Sequence, residues 1–354
     1  MDYYGLDVHK RYTVYTRLDE RGEVLGQGRI TNEPASLAAL VAPSAGQAKV
    51  VLEACGMWPV IADALQDLTD ELVLAHPLKT RAIASARIKT DRIDSATIAH
   101  LLRTDLEPRS YLARRPVREL REFLRYRSRL VKVQTSIKNR VHAVLTIHGI
   151  GGRPSTDLFG RAGREWLKEV QLPAIARQSV DGLLTVLDVI HARIMEANRV
   201  VRQRETRSSE ARRLQTIPGV GWFGALLILA EAGDVRRFPD EHHFVSYAGL
   251  VPSVRSSGGH TRYGRITKQG SPWLRWIFVE AAAVASRRPG VLRDRFLKLA
   301  RRKDAKTARV ALARHLAAVA YLLLSRATFY EERSCRQGSW SAHLPGHPVE
   351  PVVA

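Results

Sequence analysis

Four carboxylates in this sequence are placed to act together. Asp7 lies in Tyr-Tyr-Gly-Leu-Asp-Val-His, Glu53 ends Ala-Lys-Val-Val-Leu-Glu, and Asp91 and Asp94 stand three apart in Lys-Thr-Asp-Arg-Ile-Asp. Residues three apart on a helix share a face, so Asp91 and Asp94 point together at whatever Asp7 and Glu53 hold. Four like charges gathered in one place repel unless a counterion neutralises them. A pair of hard divalent cations, with Mg²⁺ the expected ion, does so and supports in-line phosphoryl chemistry. Taken singly, the acids have plain readings: a solvated strand-end Asp and a surface pair on a helix. Their combination and order point to a nuclease-type centre. His9, Lys10 and His76 lie near these acids in sequence, and an ordinary polar role is the default for each.

A second group surrounds Ser256 and Ser257, in Gly-Leu-Val-Pro-Ser-Val-Arg-Ser-Ser-Gly-Gly from Gly249 to Gly259. Alone, Ser-Ser-Gly-Gly reads as a loop, and a serine hydroxyl is a poor nucleophile until a base or metal activates it. Arg255, His260, Arg262, Arg265 and Lys268 nevertheless surround the serines with no acid between them, a suitable setting for a phosphate.

The elements that must position these residues follow from periodicity. Tyr3–Val8, Tyr12–Leu18 and Val24–Ile30 read as a three-stranded meander separated by turn residues. A short helix over Pro34–Val41 leads to the strand Val50–Glu53, a helix over Trp58–Leu68 and the strand Leu72–Ala75. Helix follows from Leu78, restarting near Thr90, a good N-cap. The order βββαβαβα is that of an RNase H-like layered fold, with Asp7 and Glu53 near adjacent strand ends and the Asp91/Asp94 helix beside them.

From Pro116 to about Ile147 the sequence predicts one long helix. Its arginines and lysines, among them Arg121, Arg125, Arg129 and Lys132, far outnumber Glu119 and Glu122 between 118 and 140. A charge run is most often a solvated face; the shortage of paired acids favours a polyanion. After a break at Gly149–Pro154, a second long helix carries Leu183, Leu187, Ile190, Ile194, Ala197 and Val201, a coiled-coil seam that can close within one chain or between two. The region 211–330 is mostly helical. There Ile217-Pro218-Gly219-Val220-Gly221 resembles the turn of a helix-hairpin-helix, where Gly219 and Gly221 would present backbone N–H groups to a phosphate. A plain tight turn is the alternative. Beyond 331, Pro, Gly, Ser and His predict a frayed tail.

Composition agrees with a nucleic-acid partner. The 354 residues carry a net charge of +21, unevenly placed: residues 1–106 hold 12 Lys/Arg and 14 Asp/Glu, and the rest hold 44 and 21. A near-neutral acidic head on a basic, polyanion-binding body fits that split. Two cysteines, Cys55 and Cys335, exclude a disulfide framework or a zinc cluster. No apolar run approaches the roughly 18 residues of a membrane span, and no signal peptide is evident. The expected location is the bacterial cytoplasm, at the nucleoid.

Five segments occur in a recognisable order: Gly5-Leu6-Asp7-Val8-His9-Lys10, Glu53-Ala54-Cys55-Gly56, Lys89-Thr90-Asp91-Arg92-Ile93-Asp94-Ser95-Ala96, Ile217 to Gly221, and Tyr247-Ala248-Gly249-Leu250-Val251-Pro252 through Ser257-Gly258. Over roughly residues 3–325 the chain closely resembles the DEDD-type insertion-sequence transposases, with a RuvC-like N-terminal domain and a serine-bearing C-terminal transposase domain. The resemblance implies a recombinase that uses a structured non-coding RNA, the bridge RNA, to choose donor and target DNA. It also implies that Asp7, Glu53, Asp91 and Asp94 bind Mg²⁺ and that the serine before the glycine, Ser257 rather than its neighbour Ser256, attacks DNA.

The expected organisation is an α/β RNase H-like (RuvC-like) domain over 1–108, a basic helical coiled-coil connector over 109–210, a mainly α domain carrying the serine over 211–330, and a flexible tail over 331–354. The expected assembly is a dimer or tetramer, with the 183–201 seam as an interface. Two other functions fit the same residues: a water-using junction resolvase with Ser257 a mere loop residue, and a non-catalytic nucleic-acid-binding protein. The presence of all four acids argues against the latter.

Overall fold

The structure, a computed structural model, describes residues 1–44, 46–83, 90–152, 156–257 and 260–331. The expected tail beyond Glu331, Cys335, and the Gly258-Gly259 pair that follows Ser257 lie outside the described residues. The chain divides into two compact units, Met1–Arg115 and Pro116–Ala354.

In the first unit β1 (Asp2–Val8), β2 (Tyr12–Leu18) and β3 (Val24–Thr31) form the meander. They are followed by α1 (Pro34–Val41), β4 (Ala48–Glu53), α2 (Trp58–Leu65), β5 (Glu71–Ala75), α3 (Pro77–Ile83), α4 (Asp91–Arg103) and β6 (Arg109–Ser110). The sheet order is β3-β2-β1-β4-β5-β6. β1 is antiparallel to β2 and parallel to β4, β4 is parallel to β5, and β6 returns antiparallel. The two-residue β6 is too short to leave a periodic signal in the sequence.

Alternation along the strands divides the sheet's faces. Tyr4, Leu6, Val50, Leu52 and Leu74 pack with Leu37, Val41, Ile61 and Leu65 of α1 and α2. Val51, Val73 and Ala75 face the other way, against Ile98 and Leu102 of α4. Gly5 and Asp7 share that second face by parity. Gly5 lets α4 approach: a Cβ there would lie 2.0 Å from the Ser95 carbonyl oxygen and 2.7 Å from the Ala99 nitrogen. A buried hydroxyl pair, Thr16 Oγ1 to Ser95 Oγ at 2.8 Å, fixes α4 over β2.

The second unit opens with α5 (Arg115–Ile147), α6 (Arg161–Glu169) and α7 (Ala174–Glu205). Then come α8 (Ser209–Gln215), α9 (Trp222–Ala232), α10 (Glu241–Tyr247), the ribbon strands β7 (Pro252–Ser257) and β8 (His260–Ile266), α11 (Pro272–Ala285), α12 (Val291–Arg302) and α13 (Ala305–Ser325). Its core gathers α8, α9, α10, α11 and α13 with Leu124 of α5 and Val201 of α7. Ile137, Val141 and Leu145 of α5 pack with Leu158, Leu167 and with Val180, Leu184 and Leu187 of α7. Arg127 Nε donates to Asn198 Oδ1 at 3.0 Å and Gln134 Nε2 lies 3.5 Å from His191 Nδ1, rungs seven residues apart on each helix that run antiparallel.

The seam therefore closes within the chain. Leu187, Ile194, Ala197 and Val201 are buried, and Leu183 and Ile190 are partly buried against the same cluster. This corrects the expectation that the seam offers an interface to a second copy. One helix, α13 at 21 residues, is long and apolar enough by composition to cross a bilayer. Leu312, Leu316, Ala317, Ala320 and Leu323 of that helix are buried in the unit's core, which accounts for its hydropathy.

Candidate active site

The acid centre is built at one edge of the sheet. Asp7 is the penultimate residue of β1, and Leu6 pairs with Leu52 in parallel register, so Asp7 and Glu53 follow one another at adjacent strand ends. Alternation turns both toward the α4 face. Thr90 caps α4 by accepting from the Ile93 N–H at 3.3 Å, which starts the helix at Asp91 and places Asp91 and Asp94 in its first turn. Carboxylates there are favoured by the helix dipole.

Asp7, His9 and Asp91 each offer a ligand atom, and these lie within 4.8 Å of one another. His9 Nε2 is 3.2 Å from Asp7 Oδ2 and 3.2 Å from Asp91 Oδ2. Burial raises the Asp7 pKa; His9 opposes that, while Asp91 and Asp94 push it further up. Asp94 is thus electrostatically part of the centre, though exposed. Glu53 is exposed at its strand end and does not belong to the close group. The donor set of carboxylate oxygens around half-buried Asp7 fits a hard divalent cation, which would offset both the burial that chiefly raises the Asp7 pKa and the repulsion from Asp91 and Asp94.

The sequence gives His9 only an ordinary polar role and carries no signal of what supports it. Its ring stacks on Tyr12 with centroids 4.6 Å apart, and the Arg29 guanidinium lies 3.5 Å from the Tyr12 ring centre. Tyr12 pairs with Thr31 across the β2–β3 hairpin, making Arg29 its diagonal same-face neighbour. Only the hairpin register, not the spacing along the chain, brings the two together.

The serines occupy strand, not loop: Ser256 and Ser257 end β7 of an antiparallel ribbon. Arg255 pairs with Arg262 and Ser257 with His260, while Val254 pairs with Tyr263 and Ser256 with Thr261. Cross-strand partners share a face, so Ser257 stands with Arg255, His260 and Arg262. Ser256 stands with Val254, Thr261 and Tyr263, and its hydroxyl meets Thr261 Oγ1 at 3.2 Å. Arg255, Arg262, Arg265 and Lys268 are all exposed.

Comparison with known proteins decides the family. A DEDD transposase family matches residues 4–150, and the transposase IS116/IS110/IS902 family matches residues 211–297. A probable family 20 transposase of Pseudomonas aeruginosa is 30% identical over 297 residues, 79% of this chain and 85% of that protein. The chain belongs to the IS116/IS110/IS902 transposase family. The transposase for insertion sequence element IS1111A of Coxiella burnetii is 26% identical over 92% of this chain and 90% of its own length. The transposase for insertion sequence element IS1328 of Yersinia enterocolitica is 25% identical over 80% of this chain and 85% of its own length. This transposase is thus an insertion-sequence protein whose family cuts and rejoins DNA, and the DEDD class implies a divalent metal.

The connector arginines divide in the structure, which corrects the expectation that all four named cations face nucleic acid. Arg125 makes a bidentate pair with Glu231, Nε to Oε1 at 2.8 Å and Nη2 to Oε2 at 2.9 Å, and Glu231 is only 2% exposed. Arg121 donates to the carbonyls of Ala230 and Glu231 at the end of α9. Both are committed to the transposase's own fold. Arg129 and Lys132 are exposed and remain open to a polyanion.

Of the helix-hairpin-helix glycines, Gly219 has φ +93° and a Cβ there would lie 2.2 Å from the Ala281 carbonyl oxygen, so close packing on α11 explains it. Gly221 is the exposed N-cap of α9, with open space around its Cα. Sequence reading also passed over α12, where Arg293, Arg295, Lys298, Arg301 and Arg302 are exposed beside one acid, Asp294.

Proposed function

We propose that this transposase is an RNA-guided DNA recombinase that cuts and rejoins donor and target DNA through Ser257. Its N-terminal unit is an RNase H-like, RuvC-like domain; the strand order 3-2-1-4-5 with helices on both faces supports that reading. Asp7, Glu53, Asp91 and Asp94 would hold Mg²⁺, two ions in all, with His9 braced between Asp7 and Asp91. When bound, the ions lower the cost of charge developing on the reacting phosphate oxygens and favour the deprotonated serine.

The observation that carries the serine assignment is the ribbon register. Ser257 shares its face with Arg255, Arg262 and His260, which can hold the scissile phosphate beside its hydroxyl; Ser256 faces apolar and hydroxyl neighbours instead. The Ser257 oxygen attacks phosphorus, a phosphoserine ester forms, and the displaced DNA 3′-oxygen or 5′-oxygen leaves with a proton. The ester keeps the energy of the broken phosphodiester, so a second strand end can be joined without an external source. The site is composite, complete only when the serine ribbon meets the acidic centre. That requirement, and the need to hold two duplexes at once, supports a dimer or tetramer. The guiding partner is a bridge RNA, as the family resemblance implies, and the place of action is the bacterial cytoplasm at the nucleoid.

The test is denaturing electrophoresis of labelled donor and target DNA incubated with the full chain, its RNA and Mg²⁺. A covalent adduct mapping by mass spectrometry to Ser257 is the expected result. Cleavage with no adduct at any stage would instead identify a water-using resolvase.

A further inference from the structure

In the second unit, three helices turn side chains into one cavity of about 350 Å³. Residues three or four apart share a helix face. Glu241 and Val245 of α10 enter the lining as such a pair, and so do Arg295 and Leu299 of α12. From α13 come Ala311, Arg314, His315 and Ala318, a stripe separate from Leu312, Leu316, Ala320 and Leu323, which fill the core. With only a methyl group at Ala311 and at Ala318, α13 leaves space that longer side chains would fill.

The lining divides by chemistry. Val245 is buried and Leu299, Ala311 and Ala318 are partly buried, so together they offer an apolar wall. Arg295 and Arg314 are exposed, and neither guanidinium has an acid or hydrogen-bond partner among the described residues. Glu241 and His315 are partly buried. The carboxylate is an acceptor, and a neutral imidazole offers one donor and one acceptor. Burial and the charge of Arg295 keep His315 in that neutral form. An apolar slot with a few placed polar groups is the usual form of a small-ligand site, and this volume is at the lower end of such sites. A free phosphate fits poorly, because Glu241 would repel it from the interior. A flat ring that bears an amine and is joined to a phosphate satisfies every part of the lining.

We infer that this cavity takes one unstacked base of a single-stranded nucleic acid, with the adjoining phosphate on Arg295 and Arg314. The base lies along the apolar wall, its exocyclic amine donates to Glu241, and His315 donates to a ring nitrogen. Adenine and cytosine carry an amine beside an accepting ring nitrogen, whereas uracil and thymine carry no amine. Single strands are commonly read in this way, by splaying a base out and hydrogen-bonding its edge. The exposed Arg293, Lys298, Arg301 and Arg302 of α12 can carry the backbone on either side of that base. The site stands apart from the cutting and joining chemistry and uses neither Ser257 nor the acids. It rests on the reading of the second unit as a nucleic-acid-binding body.

The experiment measures binding of the full chain to short uridine oligonucleotides, with and without one central adenosine, by fluorescence anisotropy. The single adenosine should tighten binding about fivefold or more. Ala311→Leu, which fills the cavity, should erase that gain and leave binding of the plain uridine strand as it was. Arg314→Gln changes only an exposed side chain and should also reduce the gain, which protects the test if Ala311→Leu folds poorly. Azidoadenosine at the same position should crosslink to peptides of α10, α12 or α13, mapped by mass spectrometry. A parallel series of thymidine strands with one deoxyadenosine separates the two sources: the series with the larger gain names RNA or DNA as the strand. If adenosine gives no gain in either series, or the gain survives both variants, the base site is overturned while nucleic-acid binding stands. If the unaltered chain binds none of these strands, the nucleic-acid reading of the second unit fails and the site fails with it.

Discussion

Arg255 and Arg262 stand directly opposite each other on the β7–β8 ribbon, on the face that carries Ser257. Like charges facing across strands destabilise a sheet, and no acid lies between 253 and 268 to offset them. A bound phosphate would remove the conflict. Ser257→Ala deletes one oxygen from an exposed strand, so folding and nucleic-acid affinity should be unchanged while adduct and strand exchange vanish. Ser256→Ala should retain activity. An adduct that persists in Ser257→Ala, or maps to Ser256, overturns the assignment.

Removing Asp91 separates chemistry from folding. Asp91→Asn keeps the first turn of α4 under its Thr90 cap, so the melting temperature in the absence of metal should hold or rise as repulsion around Asp7 falls. Recombination should be lost in Asp91→Asn and Asp94→Asn alike, and in the unaltered chain after chelation. Full activity of either variant in excess chelator would falsify the metal assignment.

Gly5→Ala tests the fit of α4 on the sheet. The added methyl would collide with backbone at 2.0 and 2.7 Å, which no rotamer change relieves. Destabilisation of at least about 2 kcal/mol is expected from overpacking of this kind, with loss of activity as Asp91 and Asp94 move off the strand ends. Denaturant unfolding measures the first and a cleavage assay the second.

Arg125 and Arg129, one helical turn apart, should give opposite results. Arg125→Ala strands the buried Glu231 carboxylate and should cost on the order of 3 kcal/mol of stability. Arg129→Gln with Lys132→Gln should leave stability alone, weaken nucleic-acid binding, and lower its salt slope by about one unit per residue removed. An unchanged slope would make the outer face of α5 merely solvated.

His315 lies in α13 on a cavity of about 350 Å³ that it shares with Glu241, Arg295 and Arg314. Burial, aided by Arg295, holds its pKa down at about 4, against an ordinary 6.5. The unfolded chain therefore binds this proton more readily. The neutral imidazole's contribution to stability is complete above pH 6.5 and is lost as pH falls toward 4, up to about 3 kcal/mol. His315→Gln should flatten that part of the stability–pH curve, measured by denaturant unfolding between pH 7 and 4.

Much of this was legible in the sequence. Period-two alternation and turn residues placed the first five strands within two residues at either end, and the Thr90 cap located the Asp91/Asp94 helix. What escaped depended on contacts between distant residues. Arg121 and Arg125 looked like free cations because Glu231, more than a hundred residues away, is invisible to local charge counting. The Ser256/Ser257 segment read as loop because its pairing partner lies across two glycines and its residues are polar on both faces.

The ribbon has one further consequence. From Val254 to Arg265 every described residue is exposed, so β7 and β8 add nothing to the core that holds the second unit together. Substitutions at these exposed positions should leave the packing of that core untouched. A chain altered only on the ribbon would keep its packed core, so loss of the ribbon's role need not show as loss of folding.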